Sequence, residues 1–528
     1  MKAQFLTLKL ELITIIGLLL VISVARTTNS KKNVVLFVVD DQEFESLQTG
    51  DKEPMPKLRR LLKDEGASFN NFFTTTPSCC ISRASIFSGL YAHNHGVTGN
   101  SKATGCYDKD WRNGIEKSSA FPVLLGDAGY KRFFIGKYLN LYGNNGGYEK
   151  PPGWDKWYGM VKGYYYDYTL SDDGQGKEVY SGGDEDSYIT RVMSTKVGDW
   201  LDSLDTAQDP FLAVLCPPSP HGPTIPEDQY SDLFSDREAP RTDAMTTKPS
   251  DKHWLMRYII DAGKWNEDTG ASRRTRTVAD KKFRDRWQTL KSVDDLVESV
   301  VEKLESLGVL QDTYIMYTSD NGYHFNQFGH LHGKWLNYDT DIRVPFVMRG
   351  PGIQAGITID YPVLNIDLAP TILEIAGVSY PADAPPLDGA SFLSLVQTGS
   401  DAGWRKDFLV EYWGMRTTGD AAVEGCENER PDDTFSNCLS IADCLCADAE
   451  SNTYTCVREL QVASGGKNFV YCKFPEDEQA GGFFEAYDMQ TDPEQTDNLY
   501  YDTMQEADKQ TYESRREALA SCIGDDCA

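Results

Sequence analysis

A series of short, wholly apolar segments, each followed by polar residues, constrains the fold of this chain more than any other feature. Four of them are Val34–Val39, Phe133–Ile135, Phe211–Leu215 and Tyr314–Tyr317. Such β-branched and aromatic runs are typical of strands covered on both faces. An amphipathic helix is predicted over 293–307, with Ser292 as its cap and Gly308 as its end. This alternation predicts an α/β fold with a large, mostly parallel sheet flanked by helices.

A change in composition near residue 404 predicts a second, smaller unit. We divide the chain into a signal peptide (1–25), a large α/β domain (30–403) and a cysteine-rich α+β subdomain (404–528). Strand patterns at 468–471 and 483–487 and a helical pattern near 503–521 indicate a small antiparallel sheet closed by a helix.

The N-terminus has the pattern of a secretory signal peptide. Lys2 and Lys9 precede an apolar run over 12–25, and Ser23-Val24-Ala25 offers a cleavage site between small residues. The run is short for a membrane span, and no second apolar stretch of spanning length follows. The alternative is an uncleaved N-terminal anchor. We expect entry into the secretory pathway and no membrane span after cleavage.

Cysteine usage agrees with export. The chain has 12 cysteines, and eight lie in its last quarter: Cys426, Cys438, Cys444, Cys446, Cys456, Cys472, Cys522 and Cys527. An even, dense set in a secreted chain indicates a disulfide framework. A zinc knuckle at Cys444–Cys446 is the competing interpretation, which is weak because no histidine follows His332. Cys106 and Cys216 are either a buried pair or free thiols.

Charge excludes some partners. The formal net charge of −28 argues against nucleic acid, because a strongly acidic chain repels phosphate. The stretch 273–291 is locally basic, and a solvated loop and helix face is favoured over a surface that docks polyanions. The chain contains no Asn-x-Ser/Thr acceptor for N-glycosylation.

Polar residues follow each predicted strand, where ligands of open α/β sheets bind. They are Asp40 and Asp41, then Lys137 and Asn140, then His221, and finally Asp320 and Asn321. Strand-end Asp and Asn residues also cap helices, which explains one doublet but not both together with the basic residues. Oxygen ligands without several imidazoles or thiolates suit a hard cation, and four protein side chains favour Ca²⁺ over Mg²⁺.

The segment 74–98 carries the most specific signal. Cys79 precedes Arg83 by four residues and is predicted to open a helix. The N-terminus of a helix stabilises negative charge, and Arg83 lies one turn further on, so this position suits a nucleophile with an anionic transition state. Two ordinary cysteines in a disulfide is a poor alternative for Cys79, because adjacent cysteines rarely pair with each other.

The segment CCISRASIFSG (79–89) resembles the signature of the sulfatase family. Other stretches similar to that family are FIGKYLNLYG (134–143), PPGWDKWYGM (151–160), SPHGP (219–223), FRDRWQTLKSVDDLVE (283–298), YTSDNGYHFNQFG (317–329), DIRVPFVMRGPGI (341–353), CLCADAESNTYTCVRE (444–459) and DMQTDPEQTDNL (488–499). The resemblance covers nearly the whole mature chain, and the cysteine-rich tail favours the branch that acts on glucosamine 6-sulfates.

The resemblance implies an alkaline-phosphatase-like fold, with 30–403 as the catalytic domain. It also implies that a formylglycine-generating enzyme oxidises Cys79 to formylglycine. One Ca²⁺ ion would then be held by Asp40, Asp41, Cys79, Asp320 and Asn321. The catalytic residues implied with Cys79 are Arg83, Lys137, His221 and Lys334. Asn140 stands where many sulfatases have a histidine, and it is expected to contact the substrate together with His324.

By the same resemblance the substrate is a sulfated glycan, and the expected bond is the 6-O-sulfate of N-acetylglucosamine in glycosaminoglycans. The protein would act outside the cell or in a lysosome-like vacuole. Ile81 departs from the signature, which has Pro or a small residue there, and a β-branched residue could impair docking to the maturation enzyme. One rival hypothesis is therefore a catalytically silent, glycan-binding pseudo-sulfatase. A second, weaker rival is a phosphatase or phosphodiesterase of the same fold.

Overall fold

The computed structural model of the protein describes residues 31–50, 53–144, 148–261, 265–270, 273–330, 332–399, 401, 403–414, 435–436, 448–449, 452–461, 466–475 and 481–527. The predicted signal peptide and Cys426, Cys438, Cys444 and Cys446 lie outside these residues. Among the helices of the described residues, none is long and apolar enough to cross a membrane.

The strands of the described residues are β1 (Asn33–Val39), β2 (Ala67–Phe69), β3 (Phe72–Phe73), β4 (Lys131–Gly136), β5 (Lys156–Tyr164), β6 (Asp167–Asp172), β7 (Gly176–Tyr180), β8 (Phe211–Cys216), β9 (Thr313–Ser319), β10 (Phe346–Arg349), β11 (Ile357–Ile359), β12 (Val363–Leu364), β13 (Asp407–Trp413), β14 (Phe435–Ser436), β15 (Asp448–Ala449), β16 (Thr453–Leu460), β17 (Asn468–Phe474) and β18 (Phe483–Asp488). Ten of them form one large sheet in the order β11-β2-β10-β9-β1-β8-β4-β5-β6-β7.

The centre of the large sheet consists of the four strands predicted from their apolar runs. β9, β1, β8 and β4 are parallel neighbours, and β5 continues the parallel pairing beside β4. β10 runs antiparallel to β9, and β6 runs antiparallel to both of its neighbours, β5 and β7. The predicted fold class, a large and mostly parallel sheet flanked by helices, is confirmed.

Both faces of the central strands are buried, which is why their sequences are continuously apolar. Val34, Leu36 and Val38 of β1 contribute to one hydrophobic core, and Val35 and Phe37 contribute to the core on the opposite face. The first core also receives the helix that begins at Cys79, and the second receives the predicted amphipathic helix. Packing on both faces of the sheet therefore fixes the positions of the strand ends, and with them the positions of the polar residues that follow directly.

The α-helices are Pro56–Leu58, Cys79–Ser88, Ala92–His95, Lys109–Asn113, Ile115–Ser118, Phe121–Asp127, Ile189–Asp202, Trp254–Asp261, Arg273–Ser306, Asp339–Ile342, Leu368–Ala376, Leu393–Thr398, Leu499–Asp502 and Glu506–Leu519. The amphipathic helix is longer than predicted, because it begins at Arg273 and not after Ser292, which is buried in its interior. Gly308 follows its end with φ +70°, as expected for a residue that stops a helix. The basic stretch 273–291 therefore lies entirely within this helix.

The C-terminal part contains a second, antiparallel sheet in the order β13-β16-β17-β18. The helix Glu506–Leu519 packs on β16, as the helical pattern near 503–521 indicates. Disulfides join Cys456 to Cys472 and Cys522 to Cys527. The predicted α+β character of the region after residue 404 is thus observed, and the domain boundary itself stays a prediction.

Candidate active site

Two neighbouring parallel strands deliver four oxygen-bearing side chains to one point. β1 pairs with β9 up to Val39 and Ser319, and Asp40-Asp41 and Asp320-Asn321 follow directly. The backbone N–H of Asp41 donates to Oδ1 of Asp320 at 2.9 Å, and Nδ2 of Asn321 donates to Oδ1 of Asp41 at 2.9 Å. All four residues are at most 3% exposed. The predicted convergence of the two doublets is therefore observed.

Cys79 faces these carboxylates from the start of its helix. Its Sγ lies 3.6 Å from Oδ1 of Asp40 and 3.9 Å from Oδ1 of Asp41. The helix begins at Cys79, as predicted, and ends before Gly89, which has φ +74°. All ten of its residues are buried. Its first turn is held by the Oδ1 atom of Asn100, which accepts from the N–H of Cys80 at 3.1 Å.

The disulfide between Cys80 and Cys106 anchors the same turn. This pairing differs from both sequence interpretations of Cys106, because its partner is neither Cys216 nor absent. Cys79 and Cys216 are buried free thiols. The chain thus ties down the cysteine next to Cys79 and leaves Cys79 itself available for chemistry.

Three cations surround the carboxylates and the thiol. Nζ of Lys137 donates to both carboxylate oxygens of Asp40 at 2.9 and 2.7 Å. Nε of Arg83 donates to Oδ2 of Asp320 at 2.8 Å. Nζ of Lys334 lies 2.5 Å from Sγ of Cys79 and also contacts Oδ1 of Asp41. The structure therefore brings together all the predicted basic residues of the site, since a ring nitrogen of His221 also lies within 4.8 Å of Sγ of Cys79 and of a carboxylate oxygen of Asp40.

Burial and crowding shift the ionisation of these groups. Burial by itself raises the pKa of Asp40, but Lys137 and the other nearby cations hold that pKa well below its ordinary value. Burial also raises the pKa of Asp41 by itself, but Lys334, His221 and Lys137 together lower that pKa below its ordinary value. The pKa of Asp320 is raised, since burial and the neighbouring Asp40 outweigh Arg83. Burial raises the pKa of the Cys79 thiol to about 12.

His221 stands at the partly open side of the cluster. Its Nε2 lies 3.9 Å from Oδ2 of Asp41, and its Nδ1 contacts the carbonyl of Gly222 at 2.7 Å. Its ring stacks on Tyr164 with centroids 5.6 Å apart. Burial lowers the pKa of His221, and attraction to Asp40 and Asp41 offsets part of that effect. With its side chain 29% exposed, His221 can meet a substrate that enters from outside.

The donor set fits a hard divalent cation. Carboxylate oxygens of Asp40, Asp41 and Asp320 lie within 4.8 Å of one another. Ca²⁺ binds oxygens at about 2.3–2.6 Å, so two ligands of one ion are separated by at most about 5 Å. Oδ1 of Asn321 is 3.5 Å from Nζ of Lys334, the same ammonium that contacts Asp41. Four buried oxygen-bearing side chains without a second imidazole are the ligand chemistry that such an ion prefers.

The two predicted substrate contacts, Asn140 and His324, lie in different settings. Asn140 is half-buried, and its Oδ1 has no hydrogen-bond partner within the described part of the chain. His324 is fully buried, with its Nδ1 2.9 Å from Oδ1 of Asp341.

His93 contacts Glu411 and the carbonyl of Cys522, which joins the first helices to the C-terminal part. His95, whose pKa burial lowers to about 3, contacts Ser85 at 3.0 Å. These contacts indicate that His93 and His95 have structural roles.

Sequence reasoning misses one residue that shapes the site. Arg286, within the basic stretch, is fully buried, and its guanidinium donates to the carbonyl oxygens of Asp41 and Pro220 and to Oε2 of Glu43. It therefore ties the loop after β1 to the loop that carries His221. Seven basic residues lie within 273–286, and their spacing does not indicate which of them faces the interior of the protein, so the role of Arg286 could not be predicted from the sequence.

Comparisons with known proteins agree with this geometry. The sequence profile of the sulfatase family matches residues 32–378. The chain is 39% identical over 525 residues to N-acetylglucosamine-6-sulfatase of Homo sapiens, covering 98% of this chain and 89% of that protein. It is 36% identical over 444 residues to the extracellular sulfatase SULF-1 homolog of Drosophila melanogaster, covering 81% and 38%. The chain belongs to the sulfatase family and is a sulfuric ester hydrolase.

Solved structures support the fold. The chain is similar to BT4656 in complex with its substrate D-glucosamine-2-N,6-O-disulfate, with a TM-score of 0.71, 21% identity and coverage of 92% of this chain and 97% of that one. It is also similar to the phosphonate monoester hydrolase of Agrobacterium radiobacter, with a TM-score of 0.66, 18% identity and coverage of 93% and 95%. The fold is thus shared by enzymes of different ester chemistry, and the assignment to sulfatases depends on the sequence.

Proposed function

We propose that this sulfatase hydrolyses sulfate esters of sulfated glycans through a formylglycine made from Cys79, with one Ca²⁺ ion held by Asp40, Asp41, Asp320 and Asn321. The observation that carries the proposal is the position of Cys79. Its Sγ lies at the start of a buried helix, 3.6 Å from Asp40 and 2.5 Å from Nζ of Lys334. Proposed metal ligands and cations therefore meet at one atom of this side chain.

The unmodified thiol is a poor nucleophile in this setting. Burial raises its pKa to about 12, so the reactive thiolate is scarce at neutral pH in spite of two nearby lysines. Conversion of the thiol to an aldehyde changes this setting, because the hydrated aldehyde offers hydroxyl oxygens, which a hard cation such as Ca²⁺ can bind and activate. We therefore propose that a formylglycine-generating enzyme acts on the chain before it folds, since Ile81 and its neighbours are fully buried afterwards.

The other residues of the cluster have complementary roles. A bound Ca²⁺ ion would supply positive charge that promotes deprotonation of the attacking hydroxyl. Arg83, Lys137 and Lys334 are placed to offset negative charge on the sulfate oxygens, which is the electrostatic contribution that usually dominates. His221, on the partly open side, is placed to donate a proton to the sugar oxygen that leaves.

Similarity over nearly the full length to N-acetylglucosamine-6-sulfatase supports a specific bond, the 6-O-sulfate of N-acetylglucosamine in glycosaminoglycans. Asn140 and His324 stay predicted substrate contacts, and Asn140 is favoured by its buried Oδ1 without a partner among the described residues. The three disulfides of the described residues support a route through the secretory pathway, to the outside of the cell or to a lysosome-like vacuole.

Mass spectrometry of the peptide that spans Ser78 to Arg83, from protein made in its native host, tests the proposal. An aldehyde or its hydrate at Cys79 is the expected result. A quantitatively unmodified thiol would contradict it and favour the silent pseudo-sulfatase that Ile81 suggests. Turnover of a chromogenic sulfate ester and of the matching phosphate ester then separates a sulfatase from a phosphatase, and we expect the sulfate ester to be the better substrate by a wide margin.

A further inference from the structure

Lys282, which the proposed mechanism does not use, lies beside the loop that carries His221. It belongs to the helix Arg273–Ser306 and is half-buried. Its Nζ donates to Oγ1 of Thr224 at 3.2 Å. A Cβ atom built on Gly222 would lie 3.3 Å from the same Nζ. The ammonium group therefore contacts Thr224 and lies beside Gly222, in the turn that follows His221.

This ammonium group lacks a close counter-charge. Within the part of the chain that the structure describes, no carboxylate lies within 4.0 Å of Nζ of Lys282. Its neighbour Lys281, in contrast, is exposed and pairs with Asp285 at 2.6 Å. A cation that is removed from water and has only a hydroxyl partner is costly to the folded state, and an arriving anion offsets that cost.

A second polar group without a partner lies close by. Nδ1 of His332 is buried and has no hydrogen-bond partner among the described residues. The ring of His332 stacks on the ring of Tyr323 with centroids 6.0 Å apart. The guanidinium of Arg286 lies over the same Tyr323 ring, 3.8 Å from its centroid. Arg286 follows Lys282 by four residues on the same helix, so the two side chains project from one face, and the contact of Arg286 with Tyr323 places His332 beside that face. Burial and the charges of Lys282 and Arg286 lower the pKa of His332.

The position of Lys282 relative to His221 indicates what it would meet. Lys137, Lys334 and Arg83 lie around Cys79 and account for the sulfate that is cleaved. His221 faces the sugar oxygen that leaves, and Lys282 lies on the His221 side. We propose that Lys282, assisted by His332, binds a second anionic group of the leaving sugar, so that the enzyme prefers substrates carrying a further sulfate or carboxylate near the cleaved ester. This inference rests on the proposed function of the site.

The test compares Lys282→Ala with the wild-type enzyme on three substrates. They are glucosamine 6-O-sulfate, the 2-N,6-O-disulfate, and a disaccharide in which a uronate adjoins the 6-O-sulfated glucosamine. For the substrates with a second anion we expect KM to rise about tenfold with little change in kcat, as for loss of one charge-assisted hydrogen bond. KM for the monosulfate should be nearly unchanged. The arm that responds identifies the anion as sulfate or carboxylate.

Two further variants serve as controls. Lys281→Ala removes the same charge one residue away and should affect no substrate. Lys282→Arg should retain most of the preference for the second anion. If Lys282→Ala alters KM equally for all three substrates, the side chain acts by holding the 222–224 loop, and the inference is wrong. It is equally wrong if no KM changes.

A titration without turnover separates this inference from the proposed function. N-sulfoglucosamine, which lacks the 6-O-sulfate, should bind the wild-type protein about tenfold more tightly than it binds Lys282→Ala, again for one charge-assisted contact. Equal binding by the two proteins would overturn the inference. Failure of the wild-type enzyme to cleave any of the three substrates would contradict the proposed function, and the titration would still decide the role of Lys282.

Discussion

Two fully buried clusters of charge in this protein differ in how completely their carboxylates are satisfied. The catalytic cluster, at the ends of β1 and β9, contains Asp40, Asp41, Asp320 and Cys79 with their cations. The junction cluster contains Glu485 of β18 and the side chains that bind it. Oε1 of Glu485 accepts from the N–H and Nδ1 of His253 at 2.7 and 2.9 Å, and Oε2 accepts from the hydroxyl of Tyr487 at 2.8 Å.

The difference is in how many carboxylates share the donors. Glu485 is alone among several donors, and although burial by itself would raise its pKa, His253 and Lys252 bring it down to about 2. In the catalytic cluster three carboxylates converge, and the pKa of Asp320 is raised because burial and Asp40 outweigh Arg83. A buried carboxylate whose negative charge is balanced by donors and cations of the chain has a structural role. Several convergent carboxylates whose charge is balanced only in part are suited to bind a cation.

The most severe way to break the catalytic cluster is Cys79→Ala. Because this change removes the atom that becomes the nucleophile, we expect kcat to fall by about 10⁴-fold or more. Stability should change little, since the side chain is small and Cys80 retains its disulfide. Steady-state kinetics and thermal unfolding measure the two effects. Cys216→Ala, at the other buried free thiol, is the control, and an equal loss of activity there would show that the effect comes from packing.

Asp320→Asn tests whether the catalytic cluster binds a cation. Saturating Ca²⁺ at 100 times its Kd should raise the free energy of unfolding of the chelator-treated wild-type protein by about 2.7 kcal/mol. The variant should lose this increase and most of its activity, while its stability without Ca²⁺ stays close to that of the wild type, because the structure already disfavours the charged form of Asp320. Calorimetry with and without Ca²⁺ measures both quantities.

The control for Asp320→Asn is Asp186→Asn, at a side chain that is 92% exposed. This variant should retain the full response to Ca²⁺. A wild-type protein whose stability does not depend on Ca²⁺, Mg²⁺ or Mn²⁺ would contradict the comparison between the two clusters.

The central strands and the catalytic cluster were predictable from the sequence for the same physical reason. Strands buried on both faces, such as β1 and β9, have uninterrupted apolar sequences, and the polar doublets that follow them must lie at one edge of a parallel sheet. Cys79 was predictable because its spacing to Arg83 and its position at a helix start are local features. The strands β5–β7 were not, since their mixed patterns of buried and exposed residues resemble loops.

The junction cluster and the role of Arg286 were beyond sequence reasoning because they depend on distant pairings. Glu485 and His253 are 232 residues apart, and Arg286 reaches the carbonyl of Asp41 across 245 residues. Nothing in the local pattern distinguishes an inward-facing Arg286 from its basic neighbours. The partner of Cys106 is likewise decided by the fold, since 26 residues separate it from Cys80.

His221→Ala sharpens the description of the catalytic cluster by separating its two sides. If His221 protonates the leaving oxygen, kcat should fall by about 10²–10⁴-fold on a sugar sulfate. The decrease should be far smaller on an aryl sulfate, whose phenolate leaves without a proton. The ratio of the two kcat values is the measurement. His93→Gln, outside the cluster, is the control and should leave this ratio unchanged, and equal losses on both substrates would instead assign His221 to sulfate binding.

Glu485→Gln tests the junction cluster and should have the smallest effect on catalysis. The pKa of Glu485 is lowered from 4.5 to about 2, so the stability it contributes is fully present above pH 4.5 and is lost as the pH falls toward 2. A shift of this size corresponds to about 3 kcal/mol, which the variant should lack at pH 7. Urea unfolding at pH 7, 4 and 3 should show the deficit shrinking as the solution becomes more acidic.

Because the junction cluster lies outside the catalytic cluster, kcat of the folded Glu485→Gln variant should stay within about twofold of the wild-type value. A constant deficit at every pH would assign the loss to packing between β18 and the large domain, and the charge of Glu485 would then not be what distinguishes the two clusters.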